Sequence, residues 1–222
     1  MSLATPAKHF GIKDELAGRG FALLRDLSEG AAVDIVNGLG DVMLRTDVYP
    51  KPNARGDVST DLPMDFHTDH PGARWIAWHC IRQSSEGGES LLVDSVPLLS
   101  ALSADERNLL RNTEVRTHVV FPTDTPTHSV LTPVKDCADR IYFTPWLISD
   151  EPSQPLSRLG SLIAKGERIS IRLKQGDLLV IDNARMLHGR KAIRGDRDRL
   201  LRRYWISYVG TSVTPTAFSP KQ

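Results

Sequence analysis

The sequence of 222 residues predicts a mainly β fold with flanking helices. Helical patterns are confined to the start of the chain and one later stretch, whereas short apolar runs separated by turn residues fill most of the remainder. No strand–helix–strand alternation is visible, which argues against a parallel sheet. Many short strands with turn signals favour a sandwich or barrel, of which a jelly roll is one form.

The first elements are predicted to be a helix, a strand and a second helix. We expect a helix over residues 11–18 and a strand over residues 21–27. Ser28 is a suitable N-cap for the second helix, which is expected to run to about Leu39. Residues 41–64 are rich in Pro, Gly, Asn and Asp and therefore predict a loop.

Strands dominate the rest of the chain. The segment SSEGG (84–88) predicts a hairpin connection, and Ser103 with Glu106 forms a capping box for a helix to about Arg111. The tripeptide QGD (175–177) predicts a tight turn. The predicted strands lie in MDFHTD (64–69), WIAWHCIRQ (75–83), ESLLVDS (89–95), EVRTHVVF (114–121), DRIYFTPW (139–146), ERISIRL (167–173), DLLVIDN (177–183) and LLRRYWISYV (200–209).

The overall composition argues against nucleic acid and membranes as binding partners. A net charge of +1 gives no global field for nucleic acid or an anionic membrane, and no run approaches the 18 apolar residues of a membrane span. The N-terminus lacks the apolar segment of a secretory signal. Cys80 and Cys137 are interpreted as reduced thiols. We expect one cytoplasmic domain, residues 1–222, that binds a small molecule, and a homo-oligomer remains open.

A metal site is indicated by two segments that are distant in sequence. His67 and Asp69 are two residues apart, so on a strand they would share one face at a spacing of about 6.6 Å. His188 follows an apolar strand and an Asp-Asn turn, and Gly189 beside it permits close backbone approach. Two histidines and one carboxylate that leave coordination positions open form the facial triad of non-haem iron(II) oxygenases.

Four arginines surround the last predicted strand. Arg197 and Arg202 fit solvated positions, whereas Arg199, Leu201 and Arg203 share one strand face by the period of two. A buried arginine needs an anion, because an unpaired buried charge costs several kcal/mol. The distal carboxylate of 2-oxoglutarate is a candidate partner of Arg199, and an internal salt bridge is the alternative.

These segments together resemble the taurine dioxygenase superfamily, which includes clavaminate synthase and γ-butyrobetaine hydroxylase. The resemblance covers residues of about 64–208. It implies a double-stranded β-helix (jelly roll, cupin-like) core and Fe(II), 2-oxoglutarate and O2 as cofactor and co-substrates. The matching stretches are HTD (67–69), WHCIRQSSEGGESLLVD (78–94), GDLLVIDNARMLHGR (176–190) and DRLLRRYWI (198–206).

Carried over residue by residue, the resemblance implies His67, Asp69 and His188 as iron ligands. The Gly-Gly-x-Thr/Ser element of the family falls on residues 87–90, so that Ser90 would bind 2-oxoglutarate. The arginine that binds this keto acid falls on Arg199, with Arg202 as the alternative. Arg203 matches a substrate-contacting arginine of several relatives, and an ion pair with Asp177 or Asp182 is its structural alternative.

The reaction that follows is hydroxylation of a C–H bond in a small carboxylate-bearing molecule, with an amino acid or a derivative as first choice. Asp69 disfavours the halogenase variant, in which a small residue replaces the carboxylate. Alternatives are desaturation or epoxidation, a quaternary ammonium substrate, a keto-acid-independent metal enzyme of the same fold, and a non-catalytic binding protein. The remaining candidates are expected to be structural, solvent-exposed or part of the pocket wall: Asp65, His70, His79, His118, His128, Tyr142 and Trp146.

Overall fold

The computed structural model describes residues 7–51, 59–135, 138–148 and 151–207. The helices within these residues are α1 (Ala7–Arg19), α2 (Glu29–Leu39), α3 (Ser95–Ser100), α4 (Ala104–Arg111) and α5 (Gln154–Lys165). The strands are β1 (Phe21–Leu24), β2 (Val42–Val48), β3 (Met64–His67), β4 (Trp75–Arg82), β5 (Glu86–Gly87), β6 (Ser90–Asp94), β7 (Glu114–Arg116), β8 (Thr127–Ser129), β9 (Leu131–Thr132), β10 (Arg140–Ile141), β11 (Ile169–Ile171), β12 (Leu178–Asp182), β13 (Met186–Arg190), β14 (Ile193–Arg194) and β15 (Leu200–Ile206).

Two antiparallel sheets form the centre of the fold. The five-stranded sheet has the order β1-β12-β4-β15-β2, and the four-stranded sheet has the order β11-β6-β13-β3. The chain crosses repeatedly between them, since β3, β6 and β13 belong to the smaller sheet and β4, β12 and β15 to the larger one. Three short ribbons pair β5 with β14, β7 with β8, and β9 with β10. The prediction of a mainly β fold with flanking helices is confirmed.

Because side chains alternate between the two faces of each strand, the apolar residues form three cores, one between the sheets and one on the outer face of each sheet. On β12, Leu179 and Ile181 belong to the central core, which also contains Leu92 and Ile171 of the smaller sheet. The intervening Val180 packs in a second core with residues of α1 and α2. The opposite side of the smaller sheet is covered by helices, and residues of α3, α4 and α5 pack there in a third core. The helices therefore flank both sheets, and the space between the sheets is left for the core and the site.

Several local predictions agree with the structure. The Ser28 side chain accepts a hydrogen bond from the Ala31 amide at 3.2 Å and begins α2. Ser103 and Glu106 form the predicted capping box of α4. Both caps satisfy amide groups that the first helical turn leaves without a partner.

The predictions for residues 41–64 and 84–88 are wrong, and the predicted strand over residues 139–146 is reduced to Arg140–Ile141. Residues 41–64 are not a continuous loop, because β2 (Val42–Val48) pairs with β15 along its length. The segment SSEGG (84–88) is not a hairpin, because the strands on either side of it, β4 and β6, lie in different sheets. Its Glu86 and Gly87 instead pair with β14. This segment is the corner at which the chain passes from one sheet to the other.

No helix in the described ranges is long and apolar enough to cross a membrane. Cys80 is a buried free thiol on β4, and burial raises its pKa to about 11. Such a thiol is protonated at neutral pH and chemically inert. Cys137 lies outside the described residues.

Candidate active site

The three predicted metal ligands come together between the sheets. His67 and His188 are paired neighbours on β3 and β13, and one ligand atom from each of His67, Asp69 and His188 lies within 4.8 Å of the others. All three side chains are buried. Gly189 permits this pairing, since a Cβ there would lie 2.7 Å from the Met64 carbonyl oxygen.

Asp69 reaches the cluster by a route that differs from the prediction. β3 ends at His67, so Asp69 lies beyond the strand and not on its face. After β3, the Thr68 amide donates to the Phe143 carbonyl at 2.8 Å. The Asp69 amide then donates to the side-chain oxygen of Asn183 at 2.8 Å. The Asp-Asn turn after β12 therefore fixes the Asp69 backbone.

The local contacts of His67 determine which of its nitrogens faces the cluster. Its Nδ1 lies 2.8 Å from the Asp65 carbonyl oxygen, which can only accept, so Nδ1 carries the proton. The Nε2 lone pair is then free and points toward Asp69, whose Oδ1 lies 3.8 Å away. A hydrogen bond of this kind orients a metal-binding imidazole and fixes its tautomer.

The ionisation states of the cluster match those that a divalent metal requires. Burial lowers the pKa of His67, and burial together with His67 lowers the pKa of His188 to about 3. Burial raises the pKa of Asp69, but Arg203 and the two histidines outweigh it, and the pKa falls to about 2. At neutral pH the cluster therefore offers two neutral imidazoles and one carboxylate, and no proton must leave before a metal binds.

Arg199 and Arg202 occupy different environments. Arg199 is 4% exposed, and its Nε is buried without a hydrogen-bond partner. Burial and the nearby Arg190 lower its pKa to about 9, so it remains charged at neutral pH. Arg202 lies on the other face of β15 and pairs with Asp47 and Glu29. Of these two arginines, Arg199 is the one that lacks a carboxylate partner in the described part of the chain.

A narrow cavity of about 50 Å³ connects the cluster to Arg199. Its walls include His67, His188, Ser90, Arg199 and Arg203. The glycine-rich segment before Ser90 approaches the same arginine, since a Cβ on Gly88 would lie 3.2 Å from Arg199 Cδ; the φ of Gly88 is +70°. Both predicted histidine ligands and the residues that the resemblance assigns to keto acid and substrate thus line one cavity.

Arg203 has an internal partner, although neither expected residue provides it. Its Nη1 lies 3.2 Å from Asp69 Oδ2 and 3.3 Å from Asp69 Oδ1. Asp177 pairs with Arg25, and Asp182 pairs with Arg74. The structural alternative for Arg203, an internal ion pair, is therefore present with another partner, Asp69, which is one of the predicted metal ligands. Its assignment to the substrate stays a prediction.

The other candidate residues lie around the cavity or away from it. The Trp146 ring packs 4.8 Å from the His67 ring, and its indole N–H donates to His118 Nε2 at 2.9 Å, so Trp146 forms a wall of the cluster. His70 Nε2 lies 3.0 Å from Asp124 Oδ2, and Tyr142 is buried. The remaining three are placed as follows: Asp65 is exposed, His79 is buried on β4 and His128 is half-buried on β8.

Two residues of the site were missed by sequence reasoning. Asn183 holds Asp69, and Trp205 donates its indole N–H to Asp69 Oδ2 at 2.8 Å. The polar Asp-Asn pair after an apolar strand was a visible signal for Asn183. Trp205 shares the inward face with Arg203 by period two, but no local pattern identifies its partner 136 residues away.

Comparison with known proteins gives a family and a fold. The model of the taurine catabolism dioxygenase TauD, TfdA family matches residues 6–205. No curated protein matches the chain.

Several solved structures share its fold. An asparagine oxygenase in complex with Fe(II), 3-hydroxyasparagine and succinate is 19% identical, with a TM-score of 0.72 over 90% of this chain and 78% of that one. The non-haem iron oxygenase OrfP with Fe and alpha-ketoglutaric acid is 18% identical (TM-score 0.70; 90% and 79%). PvcB of Pseudomonas aeruginosa, an Fe, alpha-ketoglutarate-dependent oxygenase from an isonitrile synthetic pathway, is 19% identical (TM-score 0.65; 91% and 80%).

Proposed function

The chain belongs to the taurine catabolism dioxygenase TauD, TfdA family, and from this premise we propose that it uses Fe(II), 2-oxoglutarate and O2 to hydroxylate a C–H bond of a small carboxylate-bearing molecule. An amino acid or amino-acid derivative is the proposed substrate class. We further propose that the chain is one domain whose two sheets form a double-stranded β-helix, or jelly roll. The repeated crossing between the sheets supports that assignment.

We assign the metal to His67, Asp69 and His188. Two imidazole nitrogens and a carboxylate oxygen suit Fe(II), and a set of three leaves positions for a keto acid and dioxygen. The neutral histidines and the ionised Asp69 fit this group without rearrangement of protons. Bound Fe(II) with 2-oxoglutarate supplies the oxidising power that breaks the C–H bond when O2 reacts.

The observation that carries the proposal is the buried Arg199. Its charge is not matched by an Asp or Glu in the described residues, and its Nε lacks a partner. An arginine in that position is expensive unless an anion enters beside it. We assign it to the distal carboxylate of 2-oxoglutarate, which a guanidinium can bind through two hydrogen bonds. Ser90, in the same cavity, would donate a further hydrogen bond to that carboxylate.

Substrate recognition is assigned to Arg203. Its side chain is 12% exposed, and its contacts through Nη1 to Asp69 and through Nε to Thr46 leave Nη2 for an anion. The amino-acid oxygenases that share the fold motivate the choice of substrate class. Trp146 would form the apolar wall that keeps water from the reacting carbon.

The test is succinate release from 2-oxoglutarate with Fe(II) under air, with free amino acids and their derivatives screened for stimulation. We expect a low basal rate that rises with the right substrate, together with a product that is 16 mass units heavier. His67→Ala and His188→Ala, purified in the same way, provide the blanks. A well-folded protein that binds iron but releases no succinate above these blanks, with or without candidate substrates, would contradict the proposal and favour the non-catalytic alternative.

The role of Arg203 has its own test. Arg203→Gln should weaken substrate binding while basal 2-oxoglutarate decarboxylation survives. Because Arg203 also contacts Asp69, metal affinity must be measured in the same variant, and Arg202→Gln on the opposite strand face is the matched control. Unchanged substrate affinity in a folded Arg203→Gln protein would remove this residue from the substrate site.

A further inference from the structure

The two oxygens of Asp69 have different surroundings. Oδ2 accepts the indole N–H of Trp205 at 2.8 Å and lies 3.2 Å from Arg203 Nη1. Oδ1 lies 3.3 Å from the same Arg203 nitrogen. A histidine nitrogen lies 3.8 Å from each oxygen, His67 Nε2 from Oδ1 and His188 Nε2 from Oδ2. Arg203 therefore contacts both oxygens at similar distances, whereas Trp205 contacts only one. The indole is the group that distinguishes the two oxygens.

We propose that Trp205 is a positioning residue that fixes the rotation of the Asp69 carboxylate, so that Oδ2 is held by the indole and Oδ1 is the oxygen offered to the metal. A carboxylate can otherwise rotate about its Cβ–Cγ bond, and this torsion has only broad energy minima. A hydrogen bond from the rigid indole removes that freedom before a metal arrives. The proposal rests on the metal assignment above.

Trp205 is well placed to act as a fixed donor. It is 6% exposed and belongs to the core between the sheets. Its strand is paired on both sides, with Leu44 of β2 and Ile76 of β4 as its Cα partners. The His70 ring stacks on the indole with 5.4 Å between ring centroids. The indole therefore cannot follow a carboxylate that rotates, and the carboxylate must adapt to it.

The alternative is that Asp69 merely satisfies a buried indole N–H, since buried tryptophans usually find a partner. The two explanations predict different effects for the same substitution. If the role of Asp69 is to satisfy the indole N–H, loss of the N–H changes the stability of the metal-free protein and leaves metal affinity unchanged. If the role of Trp205 is to position Asp69, loss of the N–H weakens metal binding, as loss of a hydrogen bond to a metal ligand generally does by 10- to 100-fold.

The experiment measures Co²⁺ affinity of the full-length protein by chelator competition, together with the visible spectrum of bound cobalt. Trp205→Phe keeps an aromatic ring and deletes the donor, and we expect about 10- to 100-fold weaker Co²⁺ binding. Trp75→Phe is the matched control, because Trp75 packs on the helix-facing side of the larger sheet; its Co²⁺ affinity should equal that of the wild type.

A second variant separates the lost donor from lost packing. Trp205→His removes more apolar volume than Trp205→Phe but retains an N–H at the same number of bonds from Cβ. We expect Trp205→His to be the less stable protein and yet the tighter Co²⁺ binder of the two, with the wild-type cobalt spectrum. If Trp205→His is the less stable variant and also the weaker Co²⁺ binder, the proposal is overturned. Wild-type Co²⁺ affinity in Trp205→Phe would overturn it as well.

Failure of the metal assignment is recognised separately. His188→Ala must abolish Co²⁺ binding, because it leaves two protein ligands. If His188→Ala binds Co²⁺ as tightly as the wild type, the metal assignment fails and the proposal for Trp205 fails with it. If His188→Ala loses Co²⁺ and Trp205→Phe does not, the metal assignment stands and only the positioning role is overturned.

Discussion

The two sheets face one cavity with different chemistry. The four-stranded sheet contributes the neutral side chains of His67, His188 and Ser90. It also contributes the guanidinium of Arg190, whose Nη2 donates to the carbonyls of Thr60 and Leu62. The five-stranded sheet contributes Arg199 and Arg203 from a single strand and its preceding residue. The two histidines of the candidate metal site therefore belong to one sheet, and the two arginines proposed to bind anionic molecules belong to the other. Asp69, two residues after β3, lies near groups from both sides.

A second contrast lies within β15 itself. Its inward face contains Arg203 and Trp205, both bonded to Asp69, and Arg199 precedes it. Its outward face contains Arg202, which pairs with Asp47 of the neighbouring strand and with Glu29 of α2. Arg202, on the outward face, thus has two carboxylate partners. Arg199, on the inward side, has none among the described residues. The substitutions below test whether function follows this separation.

The largest effect is expected on the smaller sheet. His188→Ala or His67→Ala leaves two protein ligands, too few to hold a labile divalent ion firmly. We expect metal binding and succinate release to fall to background in either variant, measured by Co²⁺ titration and by turnover. His128→Ala, a half-buried histidine on β8 outside the cavity, should keep both. Turnover at the wild-type rate in His67→Ala or His188→Ala would refute the assignment of the metal to this sheet.

The next effect belongs to the larger sheet and should spare the metal. Arg199→Ala removes a desolvated charged pair with 2-oxoglutarate, which contributes on the order of 2–4 kcal/mol. The apparent KM for 2-oxoglutarate should therefore rise by roughly 30- to 900-fold, while Co²⁺ affinity changes little. Arg202→Ala should leave this KM unchanged. The reverse result, with a large effect at Arg202 and none at Arg199, would show that the two faces of β15 have been assigned the wrong way round.

The cluster of candidate metal ligands could be predicted from the sequence because their chemistry is rare in combination. His67, Asp69 and His188 were identified by residue type and spacing, and the structure brings them together. Asp69 was expected on the face of a strand, but β3 ends at His67 and hydrogen bonds to Phe143 and Asn183 hold the backbone that follows. The period of two distinguished Arg203 from Arg202 on β15, because strand faces are a local property. Arg199 precedes β15, beyond a register irregularity at Leu200, and reaches the same cavity as Arg203.

Some elements were missed because their strand pairing is non-local, and others because neighbouring residues obscured their hydrophobic pattern. β2 (Val42–Val48) alternates in burial, but the Pro- and Gly-rich residues after it obscured the pattern, and its partner β15 is more than 150 residues away. The hairpin prediction at residues 84–88 failed because turn residues do not reveal which sheet the next strand joins. α5 (Gln154–Lys165) was not predicted, although Leu156, Leu159 and Ile163 carry a helical spacing.

A smaller effect tests whether the smaller sheet also helps to bind the keto acid. Ser90 begins β6 and lines the cavity with Arg199. Ser90→Ala deletes one hydrogen bond, which is worth about 1 kcal/mol, so the KM for 2-oxoglutarate should rise about fivefold. The metal affinity should not change, in contrast with the effect of His188→Ala on the same sheet. An unchanged KM would leave Arg199 of the larger sheet as the residue that binds the distal carboxylate.

The smallest effect is expected on the outward face of β15. Arg202 forms ion pairs with Asp47 and Glu29, whose side chains are 42% and 57% exposed. Exposed pairs of this kind contribute only about 0–1 kcal/mol, because water and salt screen them. Arg202→Gln should therefore lower the free energy of unfolding by no more than about 1 kcal/mol, as measured by urea denaturation. The difference from the wild type should shrink further at high salt, since screening already removes the interaction that the substitution deletes.

Turnover and the KM for 2-oxoglutarate of Arg202→Gln should match the wild type, because the guanidinium lies on the opposite side of the sheet from the cavity. A salt-independent loss of 2-oxoglutarate affinity in this variant would mean that Arg202 on the outward face affects binding in the cavity. The two faces of β15 would then not be functionally separate.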